Sequence, residues 1–512
     1  MLLGSDMFLR RILLVGGAAA VLVTSAAAGF RAAPVAAAPV AAAPASAHAA
    51  AAPAIPPSAG PVTEKSYRFG AAGPVTVYRT SMEPDRFVVF VSGDGGWNQG
   101  VVDMARQLAR MDATVVGVDI RKYLGDTRSG GQALYPAGDF ATLAQAVQKD
   151  LGFTRFHRPV VVGYSSGATL AYGALAQAPA ATFQGAIGLG FCPDLKTAKP
   201  MAAGVGKLAF RVDAKLGFVY APSKTLSEPF IAMQGGQDLT CPAPQTRAFM
   251  SQTRNGRVVD LPKVGHGYSA PANWAPQFAE AFASLYPRPG APSAPLAAGV
   301  GAARLAGLPL VEAPAAGPGD TMAVLYSGDG GWAGIDQGLA SGLVKGGVPV
   351  VGYDSLRYFW TARTPTEAAG DLATVLERYM SAWGKSKVIL AGYSFGADAL
   401  PAIVAHLPSD MRSHVRLVAL VGVGRDGELE FRPGDWLNLT AASAYPIAPL
   451  LQTLKDLPRV CIYGDQERDV ACPTFAPGLI HPVRVAGGHH FGGDYAPVAD
   501  AILKAAGIDP LP

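Results

Sequence analysis

The chain has 512 residues, of which 50% are hydrophobic and 16% are charged, with 42 Lys and Arg against 38 Asp and Glu. Because a single hydrophobic core rarely extends beyond about 250–300 residues, this length predicts at least two domains. The net charge of +4 is small and no basic stripe with interleaved aromatic residues accompanies it, which argues against a nucleic-acid partner.

The N-terminal segment has the pattern of an export signal. Arg10 and Arg11 precede the apolar run Ile12–Val23, and small residues follow it, so we predict a signal peptide over residues 1–29. The run is short for a membrane span, and an uncleaved N-terminal anchor is the alternative. Residues 30–61 consist mostly of Ala, Pro and Val and are predicted to be a linker without a packed core.

The remainder of the chain contains a tandem duplication. The string SGDGGW occurs at residues 92–97 and 327–332, and it is one of five landmarks that recur in the same order. The other pairs are TVVGVDIRKY with PVVGYDSLRY, VVVGYSSGATLAY with ILAGYSFGADALP, IAMQGGQDLTCP with VCIYGDQERDVACP, and VGHGY with GGHHF. We therefore predict an N-terminal half over residues 62–289 and a C-terminal half over residues 303–512, joined by a linker over residues 290–302.

Each half alternates predicted strands with predicted helices. The runs RFVVFVSG, TVVGVD and KVILAGYS have the composition of buried parallel strands, and VVDMARQLARMD and DLATVLERYMSAWG have the apolar spacing of helices. The alternation predicts a mostly parallel sheet with helices on both faces, in which reactive residues lie at the carboxyl ends of strands. The segments Lys196–Pro229 and Arg425–Pro458 lie where such folds insert lids.

The motifs GYSSG and GYSFG each stand between an apolar run and a helical segment, as the nucleophile elbow of α/β hydrolases does. We therefore predict two tandem α/β-hydrolase-like domains, with Ser165 and Ser394 as nucleophiles. The backbone amides of Ser166 and Phe395 are the expected oxyanion donors. A Gly-rich turn with an ordinary serine is the alternative in each half.

A serine needs a base, and in α/β hydrolases an acid and then a histidine follow the nucleophile along the chain. In the N-terminal half these positions fall on Asp238, after a predicted strand, and on His266, between two glycines. A histidine with a purely structural role is the alternative.

The C-terminal half offers several candidates for the same roles. Alignment of DVACP with DLTCP favours Asp469 as the acid, while Asp465 and Glu467 remain alternatives. Alignment of GGHHF with VGHGY favours His489 as the base over its neighbour His490. The predicted catalytic set of the C-terminal half is therefore Ser394, Asp469 and His489.

The SGDGGW loop follows the first long strand of each half, where hydrolases place the second oxyanion donor. Gly95 and Gly330 are the candidate donors. Asp329, like its counterpart Asp94, either contacts substrate or holds the loop through bonds to backbone amides. Trp332 is a candidate wall of the substrate pocket, with packing at the helix start as the alternative.

Two further side chains are candidates for substrate binding in the C-terminal half. Arg357 follows a strand end and is placed to meet a phosphate, with a salt bridge to Asp354 as the alternative. Asp398, four residues after Ser394, is placed to receive a cationic group. Its counterpart is Thr169, so the two halves are expected to differ in substrate.

The four cysteines fall two in each half. In an exported protein such even counts predict the disulfides Cys192–Cys241 and Cys461–Cys472, with four buried free thiols as the alternative. The spacings do not match a zinc site, and we expect neither a metal nor a cofactor.

The strings SGDGGW, GYSFGAD and GGHHFGGDY resemble the VirJ/AcvB group of exported bacterial virulence proteins, whose AcvB-like members carry two such domains. The C-terminal half matches more closely than the N-terminal half. The resemblance implies a periplasmic location and hydrolysis of the aminoacyl ester of lysyl-phosphatidylglycerol, an aminoacylated phospholipid, at the membrane surface. A lysyl ester would suit an acidic residue such as Asp398 near the pocket.

Two other functions are consistent with these residues. One is a non-catalytic periplasmic scaffold whose hydrolase domains bind proteins of a secretion system, which fits the virulence association. The other is a general carboxylesterase with soluble substrates. Reaction of Ser394 with a serine-directed probe separates the scaffold from the esterases.

Overall fold

The computed structural model describes residues 60–69, 73–126, 133–286, 302–433, 444–468 and 470–509. The predicted signal peptide lies outside these ranges, as do nearly all of the N-terminal linker and most of the linker between the halves. Within the described ranges no helix combines the length and apolarity needed to cross a bilayer.

The N-terminal half contains a sheet of eight strands and a separate sheet of three strands. Its strands are β1 (Thr63–Phe69), β2 (Gly73–Arg79), β3 (Arg86–Val91), β4 (Ala113–Val118), β5 (Val160–Tyr164), β6 (Gly185–Leu189), β7 (Asp194–Leu195), β8 (Phe210–Asp213), β9 (Gly217–Tyr220), β10 (Phe230–Gly235) and β11 (Gly256–Leu261). The main sheet has the order β1-β2-β4-β3-β5-β6-β10-β11, and β7-β9-β8 forms the small sheet. In the main sheet β1 and β2 are antiparallel to their neighbours and the other strands are parallel.

Helices pack on this sheet. They are α1 (Gln99–Arg110), α2 (Ile120–Asp126), α3 (Pro136–Asp150), α4 (Ser166–Gln177), α5 (Ala243–Met250) and α6 (Ala275–Ala283). Two buried clusters result: one joins β3 and β4 to α3 and α4, and the other joins β3 and β4 to α1 and α6. Because successive residues of a strand point to opposite faces, the all-apolar strands fill both clusters.

The C-terminal half repeats the arrangement. Its elements are α7 (Ala302–Ala306), β12 (Leu310–Ala313), β13 (Thr321–Tyr326), α8 (Gly334–Lys345), β14 (Val350–Tyr353), α9 (Ser355–Tyr358), α10 (Pro365–Trp383), β15 (Lys387–Tyr393), α11 (Phe395–Ala405), α12 (Ser409–Arg412), β16 (Val415–Val421), β17 (Asp426–Gly427), β18 (Tyr445–Pro446), α13 (Ile447–Thr453), β19 (Arg459–Gly464), β20 (His481–Val485) and α14 (Ala496–Ala505). The strand order β12-β14-β13-β15-β16-β19-β20 is that of the first sheet without β1. The predicted fold class is therefore confirmed.

Local sequence explains why individual elements begin and end where they do. Thr364 and Glu367 form a capping box at the start of α10, with Pro365 in the first turn. Gly384 ends the helix with φ of 63°, a left-handed conformation that glycine adopts without steric cost. This helix covers one face of the second sheet through buried residues of regular spacing.

The two halves contact one another through a buried tryptophan. The ring of Trp360, from the C-terminal half, lies 5.2 Å from that of Phe156, and its indole nitrogen donates to the carbonyl of Phe153 at 2.8 Å. Lys149 donates to the Trp360 carbonyl at 2.5 Å and lies 4.9 Å from the centre of its ring. Because Trp360 buries a large apolar surface and also has its N–H paired, it is a strong anchor for this contact.

All four cysteines are paired in the structure. Cys192 bonds Cys241 with a Cα–Cα distance of 5.2 Å, and Cys461 bonds Cys472 with one of 5.7 Å. The two disulfides are not equivalent, because Cys192 lies in the loop after β6 whereas Cys461 lies within β19.

Candidate active site

Both elbow serines lie in a strained backbone conformation between a strand and a helix. Ser165 separates β5 from α4 with φ of 55° and ψ of −124°, and Ser394 separates β15 from α11 with φ of 50° and ψ of −120°. Positive φ is uncommon for residues other than glycine and costs about 1–3 kcal/mol, so it persists only where the surroundings enforce it. The backbone at each serine therefore has the geometry of a nucleophile elbow.

The glycines of G-x-S-x-G are required by close backbone packing. A Cβ on Gly163 would lie 2.0 Å from the carbonyl oxygen of Gly167, and one on Gly167 would lie 2.4 Å from that of Ser92. In the C-terminal half a Cβ on Gly392 would lie 2.4 Å from the carbonyl oxygen of Gly396. No side chain larger than hydrogen fits at these contacts, so the turn depends on glycine at each position.

The structure brings the three predicted residues of the N-terminal half together. Ser165 Oγ lies 2.9 Å from His266 Nε2, and His266 Nδ1 lies 2.9 Å from Asp238 Oδ2. The other oxygen of Asp238 accepts from the backbone N–H groups of Thr240 and Cys241 at 2.9 and 2.8 Å. The buried carboxylate is thus held in place and orients the histidine, as a catalytic triad requires.

The C-terminal half has the same arrangement with a different acid. Ser394 Oγ lies 2.9 Å from His489 Nε2, and His489 Nδ1 is hydrogen-bonded to Glu467 Oε1. The second oxygen of Glu467 accepts from the backbone N–H of Gly464 at 3.2 Å. Serine, histidine and glutamate therefore form a second complete triad.

The structure places Glu467, and not the favoured Asp469, at the position of the acid. His489 Nδ1 carries one hydrogen, and Glu467 accepts it. Asp469 itself lies outside the described residues, and Asp465 accepts from the backbone N–H of Gly487 at 2.9 Å. Alignment from the Cys-Pro pair missed two extra residues in the C-terminal loop.

Counting from the strand end instead identifies the acid in both halves. Asp238 follows Gly235, the last residue of β10, by three positions, and Glu467 follows Gly464, the last residue of β19, by the same number. The strand end determines where the acid lies, because it is fixed by the sheet whereas the loop beyond it varies in length.

His490 has a supporting position. Its Nδ1 lies 3.0 Å from the hydroxyl of Tyr393, and that hydroxyl also donates to the His489 carbonyl at 3.2 Å. Tyr164 makes the corresponding bond to the His266 carbonyl at 2.9 Å. The tyrosine before each elbow serine therefore orients the backbone of the catalytic histidine.

The electrostatic environment favours a protonated His489. The hydrogen bond that His489 donates to Glu467 raises the pKa of His489, burial opposes this, and the charges of Glu467, Asp329 and Asp398 raise it further. Glu467 therefore stabilises the imidazolium that forms when the histidine removes the proton from serine.

The serine of each SGDGGW string fixes the loop against the next strand. Ser92 Oγ accepts from the backbone N–H of Ile120 at 3.1 Å, and Ser327 Oγ accepts from that of Ser355 at 2.9 Å. Both hydroxyls are buried. The loop after the first parallel strand is thereby tied to the helix that follows the second one.

The first glycine of the string makes the closest approach to the nucleophile. A Cβ on Gly93 would lie 3.0 Å from the Cβ of Ser165, and one on Gly328 would lie 3.6 Å from that of Ser394. A Cβ on Gly330 would meet no atom within 4 Å. The backbone that borders the serine thus belongs to the first glycine of the string, two residues before the positions expected from sequence.

The other predicted oxyanion positions lie at these same turns. Ser166 and Phe395 are the first residues of α4 and α11, so their amides are among the unpaired N–H groups of a helix N-terminus. Gly95 lies against the side chain of Asn98, which caps α1. The donor roles of Gly95 and Gly330 stay predictions.

The tryptophan of each string packs on a strand. A Cβ on Gly352 would lie 2.2 Å from the ring of Trp332, and one on Gly117 would lie 2.1 Å from that of Trp97. Trp97 also donates to the hydroxyl of Tyr78 at 2.9 Å. Packing, which the sequence analysis gave as the alternative role of Trp332, is therefore what the structure shows for both tryptophans. Trp332 also borders a cavity of about 200 Å³ between the halves.

The arginine after the second parallel strand differs between the halves. Arg121 forms a salt bridge with Asp119 at 3.2 Å, which gives it a structural role. Arg357 is exposed, and its backbone N–H donates to Asp354 Oδ1 at 3.2 Å. A phosphate contact of Arg357 stays a prediction. Asp329 is near enough to His489 for its negative charge to raise the pKa of that histidine.

Asp398 is the main chemical difference between the two sites. Its Oδ1 accepts from the backbone N–H of Gly424 at 2.6 Å, and burial raises the pKa of Asp398 to about 7. The charge of His489 opposes this increase, so the two groups influence each other. At the equivalent position Thr169 presents a neutral hydroxyl, 2.7 Å from the carbonyl oxygen of Cys192. One site therefore contains an additional ionisable group and the other does not.

One group of potential metal ligands occurs in the described ranges, formed by Asp238, Cys241 and His266. The sulfur of Cys241 is bonded to Cys192, and the other two residues are engaged in the triad. This donor set therefore does not fit a metal ion.

A family model for the bacterial virulence protein VirJ matches residues 85–188 and 320–508. The chain belongs to the VirJ family. The first matched segment contains Ser165 and the second contains Ser394 and its triad partners. The sequence resemblance is confirmed at this level, and the assembled triads make this VirJ protein a serine hydrolase.

No curated protein matches this VirJ chain. Among solved structures, the esterase domain of a Rhodothermus marinus protein is 12% identical with a TM-score of 0.29, and the match covers 44% of this chain and 97% of the other. A serine hydrolase without a lid from Xanthomonas campestris is 19% identical with a TM-score of 0.28, and the match covers 43% and 93%. Each match spans less than half of the VirJ protein.

The assignment of Glu467 predicts the outcome of three substitutions. Glu467→Gln should lower kcat of the C-terminal site by about 10³–10⁴-fold, because the histidine loses the charge that stabilises its protonated form. Asp465→Asn and Asp469→Asn are the matched controls and should stay within about tenfold of wild type. A large loss in Asp469→Asn with retained activity in Glu467→Gln would reverse the assignment.

The charge of Asp398 predicts a change in pH dependence. Attack by Ser394 requires neutral His489, so activity is lost as pH falls through the raised pKa of His489. Asp398→Asn keeps an oxygen for the Gly424 amide but removes a negative charge, so the acid limb of kcat/KM should move to lower pH. The kcat/KM profile of this variant against wild type measures the shift, and an unchanged limb would show that Asp398 does not act on the base.

Proposed function

We propose that the protein is an exported serine esterase that hydrolyses the aminoacyl ester of lysyl-phosphatidylglycerol at the membrane surface. The observation that carries this proposal is the triad of Ser394, His489 and Glu467 with the half-buried carboxyl of Asp398 four residues after the serine. Family membership and the export signal in the sequence support a periplasmic site of action.

The triad gives a two-step reaction. His489 Nε2 removes the proton from Ser394 Oγ, which attacks the ester carbonyl, and the negative charge develops on the carbonyl oxygen. The amide of Phe395 and the SGDGGW backbone stabilise that oxygen. Collapse breaks the bond to the lipid glycerol, which leaves with the proton from His489, and the lysyl group remains on Ser394 as an ester.

Water completes the cycle. His489 removes a proton from water, whose oxygen attacks the lysyl ester of Ser394, and the proton then returns to the serine oxygen. The products are lysine and phosphatidylglycerol. Glu467 stabilises the imidazolium in both steps through its hydrogen bond with His489.

Asp398 gives a physical reason for a cationic acyl group. An ammonium group beside a half-buried carboxyl favours its ionised form, so binding of a lysyl ester would lower the raised pKa of Asp398 and gain a charge-assisted hydrogen bond. A neutral acyl group gains nothing there. The site is therefore expected to prefer aminoacyl esters over neutral ones.

Mass spectrometry of vesicles that contain lysyl-phosphatidylglycerol tests the proposal. Wild type should convert this lipid to phosphatidylglycerol. Ser394→Ala should lower the rate of conversion by at least about 10³-fold, whereas Ser165→Ala should keep the wild-type rate. Asp398→Asn should lose about tenfold more rate on the lysyl lipid than on a neutral ester. Equal rates for wild type and Ser394→Ala would overturn the proposal, and no reaction of Ser394 with a fluorophosphonate would favour the scaffold.

A further inference from the structure

The triad of the N-terminal half is held as firmly as that of the C-terminal half. Asp238 is 3% exposed and its second oxygen has two backbone donors, one of them from Cys241. The disulfide from Cys241 to Cys192 ties this acid loop to the loop after β6. The acid is therefore both buried and cross-linked in its productive position.

The histidine is also positioned by its surroundings. Gly190, with φ of 62°, lies against the ring of His266, and a Cβ there would approach the ring to 3.1 Å. The Gly190 N–H donates to the hydroxyl of Tyr268 at 3.0 Å, and that hydroxyl donates to the carbonyl of Met233 at 2.5 Å. These contacts hold the backbone of Gly190 against the imidazole ring of His266.

The surroundings of Ser165 suit an uncharged acyl group. Thr169 is buried and its hydroxyl lies within hydrogen-bonding distance of the carbonyls of Cys192 and Asp194, at 2.7 and 3.2 Å. Where the C-terminal site has a carboxyl that favours a cation, this site has a hydroxyl already paired with backbone. Ser166 replaces Phe395 after the nucleophile and leaves more volume.

We propose that Ser165, His266 and Asp238 form a second catalytic centre that hydrolyses esters of uncharged acyl groups. Ser165 Oγ attacks the ester carbonyl as His266 takes its proton, and the alcohol leaves with that proton. Water activated by His266 then releases the carboxylic acid and restores the serine. This proposal does not depend on the substrate of the C-terminal site.

Hydrolysis of p-nitrophenyl butyrate by the full chain tests it. Ser394→Ala removes the contribution of the C-terminal site, so the hydrolysis that remains should belong to the N-terminal site, and adding Ser165→Ala should lower it by about 10³-fold or more.

A fluorophosphonate provides a second measurement. Ser165 should be labelled in Ser394→Ala and left unlabelled when His266 is also changed to Ala. Failure to label a folded Ser394→Ala protein, or butyrate hydrolysis by Ser394→Ala that adding Ser165→Ala does not change, would overturn the second centre. Either result leaves the lysyl-lipid assay of the C-terminal site intact.

A different observation points to an interaction surface on the N-terminal half. The hairpin of β8 and β9 presents apolar side chains to solvent, with Phe210 41%, Val212 72% and Leu216 44% exposed. The ring of Phe210 rests on Phe218 at 5.3 Å, which holds the hairpin in shape. An exposed apolar cluster on a surface hairpin marks an interaction site.

The charge around this hairpin is strongly positive. Residues 196–220 contain five basic residues and one acidic residue, against a net charge of +4 for the whole chain. Lys207, Arg211 and Lys215 are exposed beside the apolar side chains, and Asp213 is paired with Arg211 at 3.1 Å. Basic residues that flank exposed apolar ones match a membrane with anionic headgroups.

We infer that the hairpin docks the protein on an anionic lipid surface, with its apolar side chains in the acyl boundary and its basic ones at the headgroups. The hairpin is connected to the second site, since β9 pairs with β7 and the carbonyl of Asp194 in β7 lies 3.2 Å from the Thr169 hydroxyl. Docking would thus bring a lipid surface towards Ser165.

A fluorescent label tests the docking site. All four native cysteines are in disulfides, so acrylodan on the full chain reports only an introduced cysteine such as Val212→Cys. Vesicles of phosphatidylglycerol and phosphatidylcholine should shift its emission to shorter wavelength, and Lys207→Glu with Lys215→Glu should reduce the shift. Met82→Cys, also at an exposed apolar position, is the matched control and should not respond. Equal responses at both positions, or none at Val212→Cys, would overturn the inference.

Discussion

The strained serine at the end of the central strand is the constraint on which each half depends. Ser165 keeps a φ of 55° because the helix after it is pressed against the neighbouring strand through glycine. A Cβ on Gly167 would collide with the Ser92 carbonyl, and the Ser92 hydroxyl in turn ties the SGDGGW loop to the next helix. One set of backbone contacts therefore positions both the nucleophile and the loop that borders it.

The duplicated frame explains why the two sites agree in geometry and differ in chemistry. In both halves the acid follows the end of the equivalent strand by three residues, and the serine and histidine lie 2.9 Å apart. Side chains that do not hold the frame are free to differ, and Asp398 against Thr169 is such a pair. The two halves of this chain thus share the triad geometry and differ in the side chain four residues after the nucleophile.

Much of this arrangement was predictable from sequence, because strand–helix alternation and G-x-S-x-G both have direct backbone causes. The choice of the acid in the C-terminal half differs from the structure. Glu467 was passed over for Asp469 because the loop after β19 has two more residues than its counterpart, and an alignment anchored beyond the loop loses register. The structure also places Gly328 nearer than Gly330 to the serine, because loop curvature, which composition alone does not determine, decides which glycine borders it.

If the substrate is the proposed lysyl ester, the pair formed by Asp398 and His489 would link substrate binding to catalysis in the C-terminal site. The charge of each group changes the pKa of the other. A cation bound at Asp398 would offset the negative charge that raises the pKa of His489, so that pKa would fall. A lysyl group would therefore shift the histidine towards the neutral form that acts as base. A neutral acyl group would carry no charge to Asp398 and would therefore leave the pKa of His489 unchanged. The carboxyl would in this way tune the base, and the N-terminal triad, with Thr169 at the equivalent position, has no such group.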